Sequence, residues 1–186
     1  MSSIVISGDS SGSVALTVPT VAGSNTITIA AQTGTLNAAG PAFSAYRNAT
    51  QTLTNGVATK AQLNTETFDT NNNFDSTTNY RFTPTVAGYY QINGGVLIEY
   101  SSSNGSIAYC SIYKNGSEYN RGPMYYAAVG GQNAQGSTVS AVVYFNGSTD
   151  YVEFYVRGDS QAGAGTITTT SGSVFCYFSG ALVRGS

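Results

Sequence analysis

Between residues 89 and 100 the chain alternates with a period of two. Tyr90, Ile92, Val96 and Ile98 fall on one face, and Gln91, Asn93 and Glu99 fall on the other. That is the pattern of a half-buried β-strand. The run 150–157 repeats it, with Val152, Phe154 and Val156 on one face and Tyr151, Glu153, Tyr155 and Arg157 on the other. The run 107–114 ends at Asn115-Gly116 and the run 139–145 at Asn146-Gly147, and both dipeptides are hairpin signals. A last apolar run covers 174–183. Nowhere do apolar residues recur at helical spacing over three turns. Short strands at regular spacing predict an all-β sandwich or barrel.

Charge is the scarce component. Charged residues are 9% of the 186 residues, against roughly 25% in an average soluble domain. A surface so thinly charged is usually covered by a partner. The net charge of −2 and seven scattered basic residues give no footprint for nucleic acid. No stretch has the apolar length of a membrane span, so no membrane insertion is expected. The segment Met1-Ser2-Ser3-Ile4-Val5-Ile6 has neither a basic nor a long apolar region, so no signal peptide is read there.

Catalytic chemistry finds little to work with. There is no His, which removes Ser-His-Asp and Cys-His arrangements and most transition-metal sites. No phosphate-binding glycine loop is present. Asp69 and Asp75 flank the Asn71-Asn72-Asn73 loop. They are candidates for a glycosidase acid pair or a Ca²⁺ site, but the residue types better fit a turn held by Asx hydrogen bonds. Arg157-Gly158-Asp159 spells an integrin-type tripeptide at the end of a strand. The Asn-X-Ser/Thr matches at Asn48, Asn104, Asn115 and Asn146 matter only on secretion. Cys110 and Cys176 lie in apolar runs and are read as free thiols. The expectation is therefore no catalytic, cofactor or metal site, and no enzyme.

The chain divides at Gly40-Pro41. Residues 1–40 form a low-charge arm for attachment or assembly, and 41–186 the main domain. In the arm Val14, Leu16 and Val18 alternate with small polar residues, and Ile27 and Ile29 do so again after a Gly23-Ser24-Asn25 turn. Two short strands are not stable alone in water, so their apolar face needs a partner surface. That surface is either the chain's own domain or another chain, and the lack of protecting charge favours the second.

The main domain resembles the complement-globular-head and tumour-necrosis-factor superfamily. Ala42-Phe43-Ser44-Ala45 resembles the family's first strand. Phe68-Asp69-Thr70-Asn71, Phe74-Asp75, Tyr80-Arg81-Phe82-Thr83-Pro84 and Val86-Ala87-Gly88-Tyr89-Tyr90 follow its most diagnostic stretch in order. Ile112-Tyr113-Lys114-Asn115-Gly116, Asp150-Tyr151-Val152-Glu153-Phe154 and Phe178-Ser179-Gly180-Ala181-Leu182-Val183 resemble its hairpin, penultimate and closing strands. The resemblance spans residues 42–183. It implies a jelly roll of about ten antiparallel strands and a homotrimer with an aromatic interface along the threefold axis. Tyr151, Tyr155 and Tyr177 are the interface candidates by position. No collagen-like repeat or signal sequence accompanies the domain, which turns the reading away from a complement or cytokine role. The segments 11–19 and 23–29 resemble amino-terminal parts of tailed-bacteriophage virion proteins.

Two functions follow as expectations. The first is a trimeric decoration, or cement, protein on the outer surface of a phage virion, made in the host cytoplasm. Its arms would hold the major capsid protein through Val14, Leu16, Val18, Ile27 and Ile29. The second is the receptor-binding tip of a tail fibre or spike, attached to tail proteins. There Tyr119, Tyr125 and Tyr126, with Asn133 and Gln135, would meet a host surface glycan or protein.

Overall fold

The computed structural model describes residues 3–7, 13–17, 40–101, 104–129, 133–160 and 165–185. Contacts divide the chain into two units, Met1–Gly34 and Thr35–Ser186.

The first unit contains an antiparallel pair, β1 (Ser3–Ser7) and β2 (Ser13–Thr17), with Ile4 opposite Leu16 and Ile6 opposite Val14. Sequence pattern located β2 through Val14 and Leu16 but looked for its partner at Ile27 and Ile29. The partner among the described residues is β1, whose Ile4-Val5-Ile6 core is strongly β-forming. Val18, Ile27 and Ile29 lie outside the described residues.

The second unit is a sandwich of two seven-stranded sheets, antiparallel throughout. One sheet runs β4 (Gln51–Leu53), β15 (Ile167–Thr169), β9 (Gly88–Tyr100), β16 (Cys176–Gly185), β3 (Ala42–Tyr46) and β6 (Thr65–Asp69), with β13 (Ala134–Phe145) on the other side of β9. The second sheet runs β11 (Ser117–Arg121), β10 (Asn104–Lys114), β14 (Val152–Ser160), β8 (Arg81–Phe82) and β7 (Phe74–Asp75). Within that sheet β12 (Tyr125–Val129) also pairs with β10, and β5 (Thr59–Lys60) with β14. The strand count exceeds the expected ten because β4, β5, β7, β8 and β15 are separate pieces of two or three residues.

The two Asn-Gly signals have different outcomes. Asn115 and Gly116 both take positive φ, 52° and 79°, and close the β10–β11 hairpin. Asn146-Gly147 makes no hairpin, because β13 and β14 belong to different sheets. Instead the Asn146 side-chain oxygen accepts the N–H groups of Ser148, Thr149 and Asp150, and the chain crosses from one sheet to the other.

Between the sheets lies a chain of rings. Phe43 stacks on Phe82 at 4.2 Å and on Phe74 at 5.1 Å, and meets Phe178 edge-on at 5.4 Å. Phe154 continues the stack from Phe178, and Tyr90 and Phe145 close it against Phe82. Such pairs add about 0.5–1.5 kcal/mol each beyond their burial. Cys110 and Cys176 are buried and free. Burial pushes the Cys110 thiol up to about 11 and the Cys176 thiol up to about 12.

Strand β13 is an edge strand, yet three of its outward carbonyls are bonded by side chains. Asn120 Nδ2 donates to the Ser140 carbonyl at 2.9 Å, and Lys114 Nζ to that of Tyr144 at 2.7 Å. Tyr119 Oη donates to the Val142 carbonyl at 3.4 Å. Side chains of β10 and β11 thus take the place of a neighbouring strand.

Candidate functional site

Each sheet turns one face to the core and one away from it, and the two outer faces differ in chemistry. On the sheet built around β9, the outward residues are Tyr89, Gln91, Asn93, Gly95, Leu97 and Glu99. Register sets Thr138, Ser140, Val142 and Tyr144 of β13 beside Gly95, Asn93, Gln91 and Tyr89. On the other flank it sets Tyr177, Ser179 and Ala181 of β16, and beyond them Tyr46, Ser44 and Ala42 of β3. From Glu99 at one end to Arg184 at the other, none of these outward residues is charged. At its centre Gln91, Asn93 and Ser140 bond to one another through amide and hydroxyl groups. Around them Phe68, Tyr89, Val142, Tyr144, Val174 and Phe175 stay exposed, Val174 by 73%.

Two neighbouring glycines shape this face. A Cβ at Gly94 would come 2.5 Å from the Phe154 ring in the core, and one at Gly95 would come 2.6 Å from the Tyr177 ring outside. The backbone of β9 is thus pressed between two aromatic rings, which only glycine permits. Beside Tyr177 a hollow of about 310 Å³ opens, lined also by Leu97, Thr138, Val174, Phe175 and Tyr125.

The outer face of the second sheet carries the opposite chemistry. Tyr113 stacks on Tyr155 with centroids 3.9 Å apart. Arg121 lies over Tyr109 at 4.6 Å and bonds to Glu118, and Arg157 contacts Tyr109 and Asp159. Arg81 lies over Tyr151 at 4.3 Å. Lys60 Nζ meets Glu153 Oε1 at 2.6 Å, and Glu153 is only 4% exposed although it points away from the core. Charge and aromatic surface tile the centre of this face, while Tyr126 of β12 at its margin stays 70% exposed.

The predicted interface tyrosines therefore separate. Tyr177 sits on the uncharged face, whereas Tyr155 belongs to the charged lattice and Tyr151 carries the Arg81 guanidinium. Of the predicted host-contact residues, Tyr125, Tyr126 and Gln135 line one hollow beside β13. Tyr119 lies apart, bonded to the β13 edge, and Asn133 is exposed with its carbonyl taken by the Tyr100 N–H. Val14 and Leu16 lie on β2 in the first unit.

The remaining motifs have structural duties. Asp75 accepts from the backbone of Thr77, Thr78 and Asn79 and from two side chains, chiefly the Thr78 N–H, which hold its carboxyl far below the usual range. Asp69 caps the Asn71 and Phe74 N–H groups. Asp75, so engaged, is a poor proton donor near neutral pH. Arg157-Gly158-Asp159 lies inside β14 with Gly158 against Ile167, so it is no exposed loop. Among the described residues no three His, Cys, Asp or Glu side chains gather as metal ligands.

No protein-family model matches the sequence, and neither does any curated protein. Similarity appears in solved structures. Murine APRIL superposes with a TM-score of 0.55 at 7% identity, covering 78% of this chain and 100% of that one. The globular domain of zebrafish complement 1qA protein gives 0.50 at 17% identity over 78% and 99%. Eiger TNF from S. frugiperda gives 0.53 at 8% identity over 79% and 94%. These likenesses establish the jelly-roll fold shared by tumour-necrosis-factor and complement heads, and at such identity they speak for the fold alone.

Proposed function

We propose that the protein is a non-enzymatic structural component that works as a homotrimer closed on the uncharged outer face of the β9 sheet. The supporting observation is the contrast between the two outer faces. One holds the ion pairs and stacked tyrosines that suit water. The other exposes Tyr89, Val142, Tyr144, Val174 and Phe175 around a neutral hydrogen-bonding centre. Aromatic, charge-depleted surface of this kind is typical of subunit contacts. A threefold ring joins unlike patches head to tail, so the hollow beside Tyr177 would receive the edge of the next subunit.

We place the trimer on the outer shell of a tailed phage as a capsid decoration, with the first unit as the attachment element. This rests on the resemblance of residues 11–19 and 23–29 to virion proteins and on the scarcity of charge in the arm. Three arms per trimer would slow its loss from the shell by multivalency. A receptor-binding fibre tip is the second reading, favoured by the meeting of Tyr125, Tyr126 and Gln135 in one hollow.

Two measurements test these proposals. Sedimentation equilibrium of the full chain is expected to give three times the 19.3 kDa chain mass, and a monomer would refute the interface. Copy number in purified virions, counted against the major capsid protein, is expected to be comparable to it. A few trimers per particle would refute decoration and support the fibre tip.

A further inference from the structure

At the margin of the sandwich opposite β13, where β7 and β8 end the second sheet, lies a polar cleft of about 500 Å³. That volume falls within the range of roughly 300–1,000 Å³ usual for small-ligand sites. Its walls include Glu66, Asn72, Asn79, Arg81, Thr83 and Thr85. None of the outward residues of the uncharged face lines it, so a trimer closed on that face leaves it open.

Two charged groups in the cleft retain unused bonding capacity. Arg81 has no carboxylate within ion-pair distance among the described residues, while Arg121 and Arg157 each have one. Its guanidinium face rests on Tyr151, which leaves the N–H edge for a ligand. Glu66 is exposed and accepts from Ser76 through Oε1 alone, leaving Oε2.

The mixture of signs argues against a ligand with net charge. An anion drawn to Arg81 would meet the carboxylates of Glu66 and Asp75, and a cation drawn to those would meet Arg81. A hydroxyl both donates and accepts, so a ligand with neighbouring hydroxyls satisfies an arginine donor and a glutamate acceptor without net charge. We infer that this cleft binds a neutral saccharide unit, with Arg81 donating to one hydroxyl and Glu66 accepting from another. Each subunit offers one such site, so weak single binding becomes strong on a surface that repeats the sugar.

The test is an amide and guanidinium NMR titration of the full chain with glucose, galactose and N-acetylglucosamine, each to about 100 mM, a range that detects millimolar binding. Glucuronate and inorganic phosphate serve as anion probes. Saturable shifts at Asn72, Thr77 and Arg81 are expected with at least one neutral sugar. Arg81→Gln and Glu66→Gln are each expected to weaken that binding about tenfold or more, with the melting temperature of Glu66→Gln unchanged. No saturable shift with any of the three sugars would overturn the inference. Shifts only with the two anions would do the same, as would sugar binding indifferent to both substitutions.

Discussion

The two outer faces of the sandwich are made by the same rule. In β9 and in β14 every second residue leaves the core, and in both the residues that leave include tyrosine. Yet Tyr155 is stacked on Tyr113 among ion pairs, while Tyr89 and Tyr144 stand exposed on a sheet face whose own outward residues carry no charge between Glu99 and Arg184, Lys114 reaching Tyr144 only from the edge. Alternation decides which side chains leave the core. Whether they meet water or another chain depends on the charges placed around them, and those come from different strands.

The most severe challenge to this contrast is a charge at the centre of the neutral face. Ser140→Lys would bury three unpaired ammonium groups around a threefold axis, each costing several kcal/mol. Complete loss of the trimer is expected by sedimentation velocity, whereas Ser117→Lys, exposed beside the charged lattice, should leave it intact. A trimer that survives Ser140→Lys would place the interface elsewhere.

A finer challenge uses neighbours in sequence. Gly94→Ala drives a methyl into the Phe154 ring and is expected to cost about 1–3 kcal/mol of stability, read as a lower melting temperature. Gly95→Ala displaces Tyr177 on the outside instead. It should leave the melting of the subunit nearly unchanged and weaken association. Equal effects on melting would mean that Tyr177 belongs to the subunit's own packing.

The smallest expected effect is that of acid. The Glu118 carboxyl is held below its ordinary value by its bond from Arg121, with Ser111 adding to it, and Asp150 by Asn115 and Lys114. A depressed carboxylate contributes stability that is present above its ordinary pKa, near 4, and lost as pH falls through the folded value. Denaturant midpoints should therefore fall modestly below about pH 4. Association should stay level between about pH 5 and 9, because the outward residues between Glu99 and Arg184 include no carboxylate, histidine, amine or thiol. A trimer that dissociates within that window would reveal an ionisable group at the contact.

Much of the fold was legible because the informative residues are the core itself. Phe43, Phe74, Phe82, Tyr90, Phe154 and Phe178 carry the family resemblance, and the same residues form the ring stack between the sheets. A resemblance carried by core residues speaks for architecture and says little about surfaces. Period two also assigned Val152, Phe154 and Val156 to the inside correctly. It gave no means of telling which sheet a strand joins, so Tyr155 of β14 and Tyr177 of β16 read alike and came to lie on opposite outer faces. The burial of Glu153 was equally out of reach, since Lys60 lies 93 positions away. One signal was available and unread. Two consecutive glycines in the middle of a long alternating strand mark a close approach on both sides, as Gly94 and Gly95 prove to do.

The bonds from Asn120, Tyr119 and Lys114 to the β13 carbonyls bear on how the molecule behaves in a crowd. An uncovered strand at the rim of a sheet is a template on which further chains add without limit, and the hazard grows with local concentration. Here three of the docking carbonyls, those of Ser140, Val142 and Tyr144, are already taken by side chains, which hinders growth strand upon strand along that part of the rim. In the proposed trimer, association then runs through faces, which close after a fixed number of copies, rather than through this rim.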